Sequence, residues 1–342
     1  MQKTSPYANA KACGIISKSF VGGRISLLTG LNSLSELNRL VFQEQQSDLA
    51  GREILSVLER KIIARSVRQI LVILNGFSKP PELIVRLLRI YEYNDLKMCI
   101  QNIAYGVKSP PQICNLGRFA TVRFNLFPDI TAMLKNTEFE FLLEQELKSI
   151  QSGRDTTPVE TKLDSLYYNN LVESLSHISL EDQIIISRIL YDEISLRNCA
   201  WALRLRTYFN KGAEETAKYL MNIKLRDKTG KNVSLAGQAL QSCGYPLDMR
   251  ASWEGWKWEK LLNAEDAHTH WKADPRYFQN AAAQYLYRQT MKSFHRLPMS
   301  VSAVFCYIKL KQFEEDLLTS IAEGLSLGID STNVFKLLEA AP

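Results

Sequence analysis

The closest approach to a metal-binding constellation in this chain is His268-Thr-His270, set among the acids Glu265, Asp266 and Asp274. His-x-His turns both imidazoles to one side only in an extended segment, and no third ligand is fixed by spacing. The other two histidines, His177 and His295, are distant, so a solvated polar loop accounts for the same residues and no metal is expected. Hydrolase or transferase chemistry would need an activated nucleophile or a phosphate cradle. There is no Gly-x-Ser-x-Gly and no Gly-x4-Gly-Lys-Ser/Thr; Gly22-Gly23 and Thr229-Gly230-Lys231 are too short, and the second reads as a turn. Six cysteines (Cys13, Cys99, Cys114, Cys199, Cys243, Cys306) form no CxxC pair, which argues against a zinc ribbon or a thioredoxin-type site. Cys99 and Cys199 fall within apolar helical patterns, as buried thiols of a reducing compartment do. No catalytic residue and no cofactor are expected.

What remains is chemistry of contact. Glu193 lies beside an apolar stripe with Arg197 four residues later, so an intrahelical ion pair is available. It is either a surface pair or a polar pin fixing helix register, and the recurrence of an acid at Glu92 and Glu314 favours the pin. Lys61, Arg65 and Arg68 share one helix face, with Arg204 and Arg206 on another helix. Such a stripe is a solvated face or an electrostatic contact with an acidic partner. Trp253, Trp256, Trp258 and Trp271, with Tyr277 and Phe278, form either an interface anchor or core packing.

The elements that position these groups are helices. Gly (16) and Pro (11) are too scarce for the many tight turns of a β-sandwich or barrel. Leu83, Ile84, Leu87, Leu88, Tyr91, Leu96, Cys99, Ile100 and Ile103 recur at helical steps, after Lys79-Pro80-Pro81 and before Gly106. A second stripe runs from about Glu160 through Leu163, Leu166, Tyr167, Leu171, Leu175 and Ile178. Ser179 with Glu181-Asp182 then starts a new helix that continues through Ile185, Ile189, Leu196, Cys199 and Leu203 toward Gly212. A third begins after Pro298 and carries Val301, Val304, Phe305, Ile308, Phe313, Leu317, Ile321 and Leu325 to Gly328. A short amphipathic piece follows with Val334, Phe335, Leu337 and Leu338, and Glu53 to Leu74 is a further helix. The spacing predicts an all-α fold.

The net charge of +6 is mild for 342 residues and lacks the concentrated stripe of a nucleic-acid binder. Met1 to Phe20 mixes Lys3, Lys11 and Lys18 with polar residues and reads as no secretory signal. The apolar runs Ile70 to Leu74 and Ala303 to Ile308 are far shorter than the roughly 18–20 residues that span a bilayer. A cytoplasmic chain that can dock on a membrane complex is expected.

Three strings repeat at a period of roughly one hundred residues or more. They are Tyr91-Glu92-Tyr93-Asn94-Asp95-Leu96, Glu193-Ile194-Ser195-Leu196-Arg197-Asn198-Cys199 and Phe313-Glu314-Glu315-Asp316-Leu317, followed by Gly106, Gly212 and Gly324. Together with Tyr7-Ala8-Asn9-Ala10-Lys11 and the Leu163 to Leu171 string with Asp164, Tyr167 and Tyr168, this set resembles the C-type subunit of the archaeal and bacterial A/V-type rotary ATPases, whose eukaryotic counterpart is the d-type subunit. The C-terminal helix-turn-helix, Val301 to Leu338, resembles it too. The chain departs at Ser195 and Cys199, where aspartate and leucine are usual. The family's Thr-Pro-Tyr turns are degenerate here, as Thr137-Glu138-Phe139 and Cys243-Gly244-Tyr245, and the Trp-rich stretch Trp253 to Trp258 is unfamiliar beside the family's motifs.

The resemblance implies three similar helical domains (1–120, 121–225 and 226–342) arranged as a funnel with pseudo-threefold internal repeat, the N-terminal segment packing on the last repeat. It implies a non-catalytic central-stalk subunit of a V/A-type ATPase, peripheral to the membrane. Its partners would be the D- and F-type rotor shaft subunits and the membrane rotor ring, with proton or sodium transport as the task. Lys61, Arg65, Arg68, Trp253 and Trp256 are the expected partner contacts; Glu92, Asp95, Glu193, Asn198 and Asp316 are expected to be structural. A free-standing helical scaffold binding another protein is the alternative.

Overall fold

The computed structural model describes residues 6–44, 51–145, 156–226, 232–265 and 270–339. Among them fourteen α-helices run in chain order: α1 (Pro6–Ser17), α2 (Leu34–Phe42), α3 (Gly51–Leu74), α4 (Glu82–Leu88), α5 (Ile90–Ala104), α6 (Ile130–Leu134) and α7 (Phe141–Gln145). They continue as α8 (Thr157–Ser174), α9 (Leu180–Phe209), α10 (Ala213–Ala217), α11 (Gly237–Ser242), α12 (Pro275–Phe294), α13 (Val301–Ser326) and α14 (Ser331–Glu339). One small hairpin, β1 (Lys224–Arg226) with β2 (Asn232–Ser234), pairs antiparallel with Leu225 opposite Val233. The fold is all-α. No helix among the described residues is long and apolar enough to cross a membrane.

Local chemistry sets the helix ends. Ser179 and Ser300 cap α9 and α13 by accepting the backbone N–H of Asp182 and Ala303, which satisfies donors that the first turn leaves free. Asp274 caps α12 in the same way through Arg276 N–H, with Pro275 at the first helical position. Gly106, Asn210 and Gly328 adopt left-handed backbone just past α5, α9 and α13 and end them. The continuous Leu83–Ile103 stripe is divided in the structure at Arg89, between α4 and α5. Helix α12 carries only a sparse stripe of Phe278, Ala281, Ala282, Leu286, Thr290 and Phe294, and its period is correspondingly hard to see in the sequence.

Buried apolar side chains gather in three clusters. The largest joins α1, α3, α4, α5 and α8 to the first halves of α9 and α13. The second packs Leu196, Cys199, Ala202 and Leu203 of α9 against α12 and the tryptophan segment. The third sets Phe20, Leu28, Leu37, Leu58 and Ile62 against Leu318, Ile321, Ala322 and Leu325 of α13 and Val334 of α14. Helices α9 and α13 therefore each pass through two cores, so the cores cannot shift independently without bending a helix of 30 or 26 residues.

The α13–α14 corner is closed at Gly324, where a Cβ would run into the Val334 side chain. Gly324→Ala is expected to lower unfolding free energy by about 1–3 kcal/mol through overpacking. A urea midpoint shift at constant m-value measures it.

Candidate functional site

Helices α5, α9 and α13 each spend a polar side chain on holding backbone of another segment. On α5, Glu92 accepts the N–H of Val122 at 2.7 Å and the hydroxyl of Thr121 at 2.9 Å, while Asp95 accepts the N–H of Cys114 at 2.7 Å. Burial nevertheless pushes the Asp95 carboxyl up to about 6, because one N–H does not replace its hydration. On α9, Asn198 grips Met221 with both ends of its amide: Met221 N–H donates to Oδ1 at 2.9 Å, and Nδ2 donates to the Met221 carbonyl at 3.0 Å. On α13, Glu314 accepts the N–H of Phe20 at 2.8 Å and pairs with Lys311. Asn198→Ala leaves a buried N–H and C=O without partners and is expected to cost about 1–3 kcal/mol. An Asn198→Ala protein as stable as the wild type in urea would contradict the clamp.

A buried ion pair lies where α8, α9 and α13 come together. Glu193 accepts from the Tyr168 hydroxyl at 2.8 Å and pairs with Lys309 at 2.7 Å, both side chains being buried. Burial alone would raise its carboxyl, but Lys309, Arg197 and the hydrogen bonds from Lys309 and Tyr168 outweigh burial and hold it below the usual carboxylate value. The expected partner Arg197 is present at 3.4 Å, yet its side chain is 60% exposed. The buried partner is Lys309, 116 residues away, which the sequence pattern does not pair with it. Its one signal is a lysine inside the apolar run Val304 to Leu310. Arg197 also feels Asp316 on α13 and Asp164 on α8, while Asp316 is itself exposed. Charges from three helices thus come together where solvent reaches Arg197 and Asp316. Beside them Tyr91 of α5 donates to Glu315 of α13 at 2.9 Å, and burial pushes the Glu315 carboxyl up to about 7.

These contacts also fix direction. Glu82, at the start of α4, meets His177 just before α9 at 3.0 Å, and Ser302 at the start of α13 donates its N–H to Asp182 of α9 at 2.8 Å. Farther along come the pairs Tyr91–Glu315 and Glu193–Lys309. The α4–α5 pair, α9 and α13 therefore start together at one end, touch at the polar hub, and run the same way. Helix α8 runs back between them, with Asp164 held by Lys97 at 2.5 Å and Glu160 by Gln101 at 2.9 Å. The starting end holds a cleft of about 430 Å³ lined by His177, Ile178, Leu297, Met299 and Val301, with Leu180 and Ile184 exposed nearby.

The expected contact residues separate in space. Arg68 is exposed, and Lys61 is half-exposed and paired with Glu44 at 2.6 Å. Arg65 turns inward: it is 17% exposed, lies 3.6 Å from buried Glu314 and stacks over the Phe20 ring. The stripe is thus corrected to Lys61 and Arg68, because Arg65 compensates an interior acid. Trp253 and Trp256 are also interior, donating their indole N–H groups to the carbonyls of Pro246 at 2.8 Å and Gln238 at 3.1 Å. Edge-on packing of Trp253 against Trp256 completes a small core, so the anchor expectation gives way to a packing role. Of the possible metal ligands, Asp266 and His268 lie outside the described residues.

Comparison with known proteins adds two findings. The family model described as ATP synthase (C/AC39) subunit matches residues 32–335. A curated protein of Treponema pallidum (strain Nichols), named "Uncharacterized protein", is 25% identical over 329 residues, covering 94% of this chain and 92% of its own length.

Proposed function

The chain belongs to the ATP synthase (C/AC39) subunit family, and from that premise we propose that it is a non-catalytic central-stalk subunit of a V/A-type rotary ATPase. It couples the D- and F-type shaft subunits to the membrane rotor ring during proton or sodium transport, and reaches the membrane through that ring. The family match over residues 32–335 carries the reading. Three repeats, 1–120, 121–225 and 226–342, set as a funnel, are the arrangement proposed with it.

The physical layout supports a part that transmits torque. Two long helices pass through two cores each, and their mutual contact is pinned by the buried Glu193–Lys309 ion pair, which opposes sliding because a charge displaced from its buried partner is left uncompensated. Exposed Arg68 and half-exposed Lys61 are the remaining candidates for an electrostatic contact with an acidic partner, which salt would weaken.

Tagged protein drawn from its native membranes, with bound chains identified by mass spectrometry, tests the proposal. Recovery of shaft and ring subunits is the expected result. Recovery of the chain alone, at both low and moderate salt, would replace the coupling role with a free-standing scaffold.

A further inference from the structure

Three acids stand in a row on α13, Glu314, Glu315 and Asp316, and each has different surroundings. Glu314 is fully buried and answered by two cations, Lys311 one turn back and Arg65 of α3 at 3.6 Å. Asp316 is exposed and is drawn to Arg197 and Lys309. Glu315, between them, is partly buried, and its hydrogen-bond partners are hydroxyls. Tyr91 of α5 donates to it at 2.9 Å, and Ser66 of α3, itself buried, is the other partner. Among the described residues no salt bridge reaches it, because Lys311 is turned to Glu314.

Such a place favours the neutral acid. Taking a carboxylate out of water without a cation penalises its charge, and Asp316 beside it adds like-charge repulsion. The two hydroxyls and the more distant Lys311 oppose these effects without cancelling them, and the Glu315 carboxyl is pushed up to about 7. Tyr91 is driven well above its ordinary value, by burial first and then by Glu315, so it remains a donor. Cys114, on the segment after α5, faces the same acid. Burial, Asp95 and Glu315 push its thiol up to about 12, so it adds no charge. From α3, Arg65 faces Glu314 and Lys311, with Arg24 and Arg68 near it in turn. Burial and Arg65 press the Lys311 ammonium down, while Glu315 and the contact with Glu314 hold its proton. From α9, Arg197 and Glu193 act on Asp316. A neutral Glu315 accepts from one hydroxyl and donates to the other, whereas an ionised one only accepts.

We propose that Glu315 is a protonation-controlled joint: neutral, it fastens α13 to α5 and α3 through Tyr91 and Ser66, and on ionisation that contact loosens. Partial exposure lets water deliver and remove the proton. An ionised Glu315 also competes for Lys311, four residues behind it, with Glu314, three residues ahead of the same lysine. Glu314 holds the N–H of Phe20, so loosening reaches the contact that binds the N-terminal segment to α13. The joint belongs to the isolated chain, and its test is independent of the coupling role.

The folded carboxyl stands above its ordinary 4.5, so between that value and about 7 the folded chain keeps a proton that the unfolded chain releases. The stabilisation is full below the ordinary value and is lost as pH rises through the folded one. The experiment uses the purified full chain and compares wild type with Glu315→Gln, which is neutral at every pH. Relative to that variant, the wild-type unfolding constant should rise on the order of fiftyfold from about pH 5 to about pH 8, titrations common to both, Lys311 included, cancelling. Amide exchange, corrected for its intrinsic pH dependence, should show α5 and Phe20 opening more readily over the same range. Followed by NMR with carbon-13 glutamate, the Glu315 carboxyl should titrate near 7. Asp316→Asn removes the neighbouring charge at an exposed position and should lower that midpoint, whereas Tyr91→Phe removes a donor to the carboxylate and should raise it. A packing role alone would not move the midpoint in these opposite directions. A carboxyl titrating near the ordinary 4.5, or a stability ratio flat with pH, would overturn the joint. Titration near 7 with exchange in α5 and at Phe20 unchanged would overturn it equally. If Glu315→Gln does not fold, the wild-type titration and its shifts in Asp316→Asn and Tyr91→Phe still decide the matter.

Discussion

Glu193→Ala is expected to lower the free energy of unfolding by about 3–5 kcal/mol, the range for leaving one charge of a buried pair without its partner. Lys309 is the charge left behind, and the Tyr168 hydroxyl loses its acceptor as well. The exposed Glu193–Arg197 contact would by itself predict a few tenths of a kcal/mol, roughly 0.3–0.5. Urea denaturation separates the two: a loss under about 0.5 kcal/mol would mean that Lys309 finds another partner or water. Lys309→Met should cost a similar amount alone, and combining it with Glu193→Leu should recover much of the loss, because an apolar pair needs no compensation.

The same pair sets a pH dependence. The folded carboxyl of Glu193 sits below its ordinary 4.5, so the unfolded chain binds the proton first as pH falls. Its stabilisation is therefore complete above the ordinary carboxylate value and disappears as pH drops through the depressed folded value. The wild-type advantage over Glu193→Gln should be flat near neutrality and narrow in acid.

Trp253→Ala is expected to cost about 3–5 kcal/mol, as truncation of a fully buried large aromatic side chain does. The ring touches Tyr245 and Trp256 and donates its N–H to Pro246, so truncation opens a cavity and orphans a carbonyl at once. The second core is small and built around four tryptophans, so few neighbours remain to collapse into the space. Urea unfolding followed by the fluorescence of the remaining tryptophans measures the effect. Unchanged stability with weakened partner binding would instead put the ring at an interface.

Much of the scaffold is legible in the sequence because helix ends are local events. Ser179 before two acids, Ser300 before an apolar run, and Gly106 and Gly328 after one mark boundaries that the structure keeps within a few residues. Helix α12 is not legible in this way, since alanines and Thr290 occupy much of its buried face and leave the apolar period with little contrast. Its one local mark, Asp274-Pro275, is an N-cap followed by proline at the first helical position. The short hairpin at Leu225 and Val233 escapes the sequence pattern because three-residue strands carry no measurable alternation.

The candidate site divides along the same line. The residue types are visible in the sequence: acids recurring at Glu92, Glu193 and Glu314, a basic stripe at Lys61, Arg65 and Arg68, and clustered tryptophans. Which of them is buried is not. Arg65 and Arg68 are three residues apart, yet one answers Glu314 in the interior and the other meets water. The sequence by itself determined an all-α chain and where its main helices begin and end, since capping and apolar periodicity act within a few residues of backbone. Only the tertiary structure decided that Glu193 answers to Lys309, that the tryptophans face inward, and that three helices run side by side. Those facts depend on solvation and on neighbours a hundred residues away, and no local pattern of side chains encodes either.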